Sequence, residues 1–144
     1  MLTETAKTIH ANCVSVDGKG LLILGASGAG KSSLTFELIA LGAMLVSDDR
    51  TRLYMDGVEL HAQAPASIRG MIEARGIGIL SAPSIPNELV SAVVDLDRVE
   101  KHRSPSPRSV FILGQSIPCL YKVQSPSFSS MLLHYLRYGM QSGV

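Results

Sequence analysis

The hydrophobic positions of this chain fall in short runs whose period changes along the sequence. Residues 9–16 mix the strand-favouring Ile9, Val14 and Val16 with polar positions. The turn Asp17-Gly18-Lys19-Gly20 follows, and Leu21-Leu22-Ile23-Leu24 is apolar throughout. Two strand-like runs joined by a glycine-containing turn predict a β-hairpin. After a glycine-rich stretch, Leu34, Leu38 and Leu41 recur at helical spacing, and Phe36 and Ile39 broaden the apolar face. That spacing predicts a helix over 31–41, with Gly42 as its C-terminal cap. Ala43-Met44-Leu45-Val46 reads as a buried strand that delivers Ser47-Asp48-Asp49 at its C-terminal end. Further strands are predicted over 52–55, 58–61, 77–80, 89–96 and 110–113, and a last helix over 129–138. The Pro/Ser-rich stretches 104–107 and 125–130 read as loops. The expected class is α/β, with a mixed, partly antiparallel sheet and flanking helices.

Length and composition narrow the picture. A chain of 144 residues suits one domain spanning 1–144, and 46% apolar with 17% charged residues places it among globular proteins. A formal net charge of +1 gives no field of one sign to attract nucleic acid or anionic lipid, so neither is expected as a partner. No run reaches the roughly 18 apolar residues of a membrane span, and Met1–Lys7 offers no apolar leader after a basic start. Cys13 and Cys119 are too few for a disulfide framework and lack metal-ligand spacing. They read as structural thiols in a reducing cytoplasm.

Gly25-Ala26-Ser27-Gly28-Ala29-Gly30-Lys31-Ser32 fits the phosphate-loop pattern G-x-x-x-x-G-K-[ST] between a predicted strand and a predicted helix. Glycines let backbone N–H groups turn inward around phosphate oxygens, and the helix N-terminus adds positive potential. Lys31 then reaches the β- and γ-phosphates, Ser32 has the position of a Mg²⁺ ligand, and Ser33 closes the segment. ATP and Mg²⁺ are the expected ligands.

Asp48 and Asp49 are the best candidates for the aspartate that takes a proton from an acceptor hydroxyl; a solvated turn is the alternative. Glu73 lies in residues 68–79 with Arg69, Gly70, Arg75 and Gly76. Those charges suit either metal and phosphate contacts or an ordinary surface ion pair. His10, inside the first predicted strand, is by its spacing more often a packed residue than a catalyst. His61, His102 and His134 stand in no motif.

Four segments together resemble the P-loop kinase domain of HPr kinase/phosphorylase in its short alphaproteobacterial form. They are Ile9-His10-Ala11, the loop 25–33, Leu45-Val46-Ser47-Asp48-Asp49, and residues 68–80, which resemble the family signature. The resemblance implies a nucleotide-binding core like that of the phosphoenolpyruvate carboxykinases and transfer of phosphate from ATP to a seryl hydroxyl of the phosphocarrier protein HPr. It implies Asp49 as proton acceptor, Ser32 and Glu73 as Mg²⁺ ligands, and His10 and Lys31 as catalytic. It aligns a downstream family arginine with Arg103, with Arg98 as competitor. The N-terminal domain of longer members has no counterpart, and the segment associated with phosphorolysis has none near 125–130. Kinase activity is therefore expected, and the reverse, phosphorylase reaction is left open. Self-assembly, which longer members achieve partly through C-terminal elements, is left open. The competing reading is a nucleotide-responsive regulatory module with little chemistry.

Overall fold

The computed structural model describes residues 5–141, so the first four residues of the N-terminal stretch considered above lie outside it. The predicted strand over 9–16 is two strands, β1 (Ala6–His10) and β2 (Asn12–Val16), separated at Ala11. The break has a physical cause: β1 pairs with β5 (Arg50–Asp56), whereas β2 pairs with β3 (Lys19–Leu24) and β4 (Met44–Ser47). The chain thus changes partners at Ala11, whose N–H donates to the Asp49 carbonyl at 3.0 Å. β2 and β3 form the expected hairpin.

Helix α1 (Lys31–Ala40) follows the glycine loop. It ends in a paired-bond cap in which Gly42 N–H donates to the Ile39 carbonyl and Ala43 N–H to that of Leu38. Leu41, predicted on its apolar face, is instead exposed beyond the last turn. β6 (Glu59–Gln63) continues antiparallel from β5, and a short 3₁₀ turn (Ala66–Ile68) leads to the separate two-stranded hairpin β7 (Met71–Ala74) and β8 (Gly78–Ser81). β9 (Asn87–Val99), β10 (Ser109–Ile112), β11 (Gln115–Lys122) and α2 (Phe128–Tyr138) complete the chain. The helix therefore begins inside the stretch 125–130 read as a loop, whereas 104–107 is loop as expected.

A mixed nine-stranded sheet runs β1-β5-β6-β9-β3-β2-β4, with β11 added parallel on β9 and β10 antiparallel on β11. Successive strand side chains point to opposite faces, and this period separates two cores. Val14, Leu21, Ile23 and Val94 face Leu34 and Leu38 of α1 and Leu132, Leu133 and Leu136 of α2. Cys13, Leu22 and Val93 face Leu53, Leu60, Ile112 and Ile117 across the other side. Burial on both faces is why β3 reads as an unbroken apolar run.

β3 and β9 pair in parallel at the centre and approach closely at Gly20, where a Cβ would stand 2.6 Å from the Leu89 carbonyl oxygen. Neither backbone can yield without disturbing the pairing that carries the glycine loop. Gly20→Ala is expected to cost about 1–3 kcal/mol of stability, the usual scale of overpacking, read as a lower urea midpoint at unchanged slope.

Candidate active site

Parallel β3 and β9 end side by side, and the loop that leaves β3 at Gly25 turns directly into α1. Gly28 and Gly30 take φ of +86° and +104°, a region that favours glycine, and a Cβ at either would meet no atom within 4 Å. The loop is an open backbone cradle at a helix N-terminus, the arrangement that suits phosphate. The Lys31 ammonium donates to the carbonyls of Gly25 at 2.6 Å and Ala26 at 3.3 Å. The near-buried lysine is thus held on the rim of its own loop.

Opposite the loop, β4 ends in the turn Ser47-Asp48-Asp49-Arg50, and Asp49 is left-handed with φ +67°. Aspartate tolerates this region better than most residues, yet the turn is also clamped from several sides. Asp49 N–H donates to Asn12 Oδ1 at 2.8 Å, Arg50 N–H to the Asp48 carbonyl at 2.7 Å, and the Ser47 hydroxyl to the Arg50 carbonyl. Asp49 Oδ1 lies 2.7 Å from His10 Nε2, both side chains being open to solvent. β1 supplies the histidine because its register places His10 opposite Arg50.

The β7–β8 hairpin closes the third side. Ala74 pairs with Gly78, so Arg75-Gly76-Ile77 is its tip, and Glu73 N–H donates to Asp48 Oδ2 at 3.0 Å. A cleft of ≈ 710 Å³ lies between hairpin, loop and turn, lined by His10, Asn12, Ser27, Gly28, Gly30–Ser33, Asp48, Asp49, Glu73 and Arg75 among others. Neither Glu73, Arg69 nor Arg75 takes part in an ion pair among the described residues, so the surface-pair alternative for this segment is not what forms.

Burial raises the Asp48 carboxyl above its ordinary 3.8, the Glu73 N–H lowers it, and the charges of Asp49 and Glu73 raise it further. A carboxyl with a raised folded pKa holds its proton more tightly when folded, so stability is lost as pH rises through that value. Asp48→Asn is therefore expected to melt higher than the parent at neutral pH, and the difference should fade below the ordinary carboxylate pKa. A thermal melt series across pH checks this.

Among the described residues no three His, Cys, Asp or Glu side chains converge as a ready-made metal cage. Ser32 and Glu73 both line the cleft, an all-oxygen pair whose chemistry fits Mg²⁺ held by few protein ligands together with phosphate oxygens.

Arg103 is not brought to the cleft. It is exposed on the loop after β9, whose ends are tied by Arg108 donating to both oxygens of Glu100, while the Arg108 guanidinium lies 4.0 Å from the Tyr121 ring centre. That pairing holds the Glu100 carboxyl down at about 2. The competing Arg98 pairs with Asp95 at 3.5 Å, and Arg69 is exposed outside the lining. Gly70 and Gly76 frame the hairpin rather than touch the cleft.

Two site residues escape motif reading. Asn12, a buried amide in a strand of buried residues, holds the Asp49 turn. Asp97, at the end of β9, accepts the Ala26 N–H on both oxygens at 3.0 and 3.1 Å and so fixes the entry to the glycine loop. An acid closing an apolar strand was the available signal for the second.

The family model described as HPr Serine kinase C-terminal domain matches residues 2–100. HPr kinase/phosphorylase of Caldanaerobacter subterraneus is 47% identical over 79 residues, covering 54% of this chain and 26% of that protein. The same-named protein of Caldicellulosiruptor bescii is 39% identical over 126 residues, covering 78% of this chain and 40% of its own length. The chain thus corresponds to well under half of these relatives. The solved structure titled Hpr(Ser) kinase/phosphatase from Coxiella burnetii superposes with a TM-score of 0.78 at 26% identity, covering 91% of this chain and 88% of that one.

Proposed function

Because the chain belongs to the HPr serine kinase C-terminal domain family, we propose that it transfers the γ-phosphoryl group of ATP to a seryl hydroxyl of an HPr-like phosphocarrier protein. The observation that carries this reading is the cleft itself: a phosphate cradle on one wall faces an aspartate–histidine contact on the other.

The chemistry asks little covalent work of the protein and much placement. Backbone N–H groups of Gly28–Ser32 hold the phosphate tail, and Lys31 leaves its rim carbonyls to meet the β- and γ-phosphates. Asp49 takes the seryl proton as the hydroxyl attacks, and His10, in contact with its Oδ1, orients that carboxylate. Ser32 and Glu73 would hold Mg²⁺, which spreads the charge of the transferring group. Arg75 lines the same cleft and supplies a further positive charge, whereas Arg103, exposed on its loop, is not among the lining residues. The forward direction is the one assigned; the reverse reaction with inorganic phosphate is not part of the proposal. Nor is the chain's behaviour as a bare nucleotide-responsive module, since a switch has no need of a proton acceptor at the cleft.

Purified protein mixed with ATP, Mg²⁺ and its cognate HPr should add one phosphate to HPr over many turnovers, read by intact mass and located by peptide mapping to serine. ATP binding without any transfer to an HPr of confirmed identity would sink the proposal. Loss of label from phosphoseryl-HPr on adding inorganic phosphate would extend it to the reverse direction.

A further inference from the structure

We infer that Asn12 is a positioning residue, which locks the Asp48–Asp49 turn to the helix that carries the phosphate loop. Its side chain stands between the two walls of the cleft and is 1% exposed. Oδ1 accepts the Asp49 N–H at 2.8 Å, and Nδ2 donates to Thr35 Oγ1 at 2.9 Å. Thr35, itself 0% exposed, donates its hydroxyl to the Lys31 carbonyl at 2.7 Å. A chain of hydrogen bonds therefore runs from Lys31 through the buried Thr35 and Asn12 to the backbone of Asp49, whose solvent-open carboxylate meets His10.

The placement matters because Asp49 is held left-handed, and the N–H bonded by Asn12 belongs to that residue. Losing the acceptor removes the side-chain clamp that ties this turn to β2 and, through Thr35, to α1. It also leaves the Asp49 N–H without its protein acceptor, so the turn shifts as that group takes up water instead. The distance between the phosphate wall and the proton-accepting wall is then no longer fixed by buried side-chain contacts. An error of about 1 Å in such a distance costs on the order of 100-fold in rate. Nucleotide affinity, set by the loop itself, is left in place.

The kinetic part rests on the kinase reading; the structural part does not. In ligand-free protein, Asn12→Ala should speed amide hydrogen exchange at Asp49 by about 10-fold or more while exchange at Leu38 in α1 stays as it was. In the transfer assay, kcat should fall on the order of 100-fold with nucleotide affinity within about three-fold of the parent. Thr35→Val cuts the link to the helix but keeps the Asp49 clamp. It should lower kcat less, leave the Asp49 amide protected, and add nothing further to Asn12→Ala in the double variant. Unchanged Asp49 exchange in Asn12→Ala overturns the inference, as do losses that simply add, or nucleotide affinity falling in step with kcat. Where Asn12→Ala fails to fold, Thr35→Val decides: an unchanged kcat refutes the relay. Absence of transfer by the parent protein would refute the kinase reading, and the exchange measurements would still decide the role of Asn12.

Discussion

Lys31→Ala should lose phosphoryl transfer by about 10³-fold or more while melting no lower than the parent protein. Both halves follow from where the ammonium sits. Lys31 is only 8% exposed, its partners are the carbonyls of Gly25 and Ala26, and no carboxylate lies within ion-pair distance among the described residues. A near-buried cation without a countercharge is a cost to the ligand-free fold. In the proposed complex the phosphate oxygens would provide the missing charge, so the residue would serve the complex at the expense of the empty protein.

Removing the side chain therefore relieves the empty state and deprives the loaded one. Nucleotide at 100 times its dissociation constant should raise parent stability by about 2.7 kcal/mol, and most of that gain should vanish in the variant. Thermal melts with and without ATP and Mg²⁺, beside intact-mass transfer assays, separate the two effects. A variant that melts lower when empty and still transfers phosphate would assign Lys31 to the scaffold. Lys31→Arg should not rescue transfer, because a planar fork cannot occupy the place of a compact ammonium between two carbonyls.

The loop, its lysine and the acidic pair were legible in the sequence because each is a local pattern whose geometry is set within a few residues. β3 and α1 were legible for the same reason: Leu21–Leu24 is buried on both faces, and Leu34 and Leu38 repeat at helical spacing. Elements defined by a distant partner were not. β11 contains Pro118, which ordinarily argues against a strand, yet its parallel pairing with β9 begins only at Cys119. β7 is exposed at alternate positions and exists because β8 folds back on it. α2, by contrast, was legible: the helix predicted over 129–138 is Phe128–Tyr138.

The same distinction runs through the site. The contact of His10 with Asp49 depends on β1 pairing with β5, which no spacing within the chain records, and the resemblance to a known family supplied what spacing did not. Asn12 and Asp97 were missed because their partners, Asp49 and Ala26, are neighbours only after the sheet has formed. Arg103 was placed by alignment across a shortened stretch, but the Glu100–Arg108 clasp anchors that loop with Arg103 exposed.

The two aspartates that sequence could not tell apart should separate under one chemical change. Asp49→Asn keeps side-chain size, tolerates the left-handed φ of +67° as aspartate does, and retains an oxygen for His10 Nε2. It changes little except the capacity to take a proton. Transfer to HPr should fall by about 10²–10⁴-fold, the contribution of a positioned general base, while nucleotide binding and melting stay near the parent. Asp48→Asn acts in the other order: it raises stability at neutral pH because the parent carboxyl is half-buried between Asp49 and Glu73. A single-turnover assay at saturating ATP isolates the chemical step for both. Wild-type rates for Asp49→Asn would remove the proton-acceptor role from this residue, and with a slow Asp48→Asn would move it one position back along the turn. The separation is physical rather than positional. The solvent-open carboxylate beside His10 is free to meet an incoming hydroxyl, whereas its neighbour is half-buried and accepts the Glu73 N–H of the hairpin backbone.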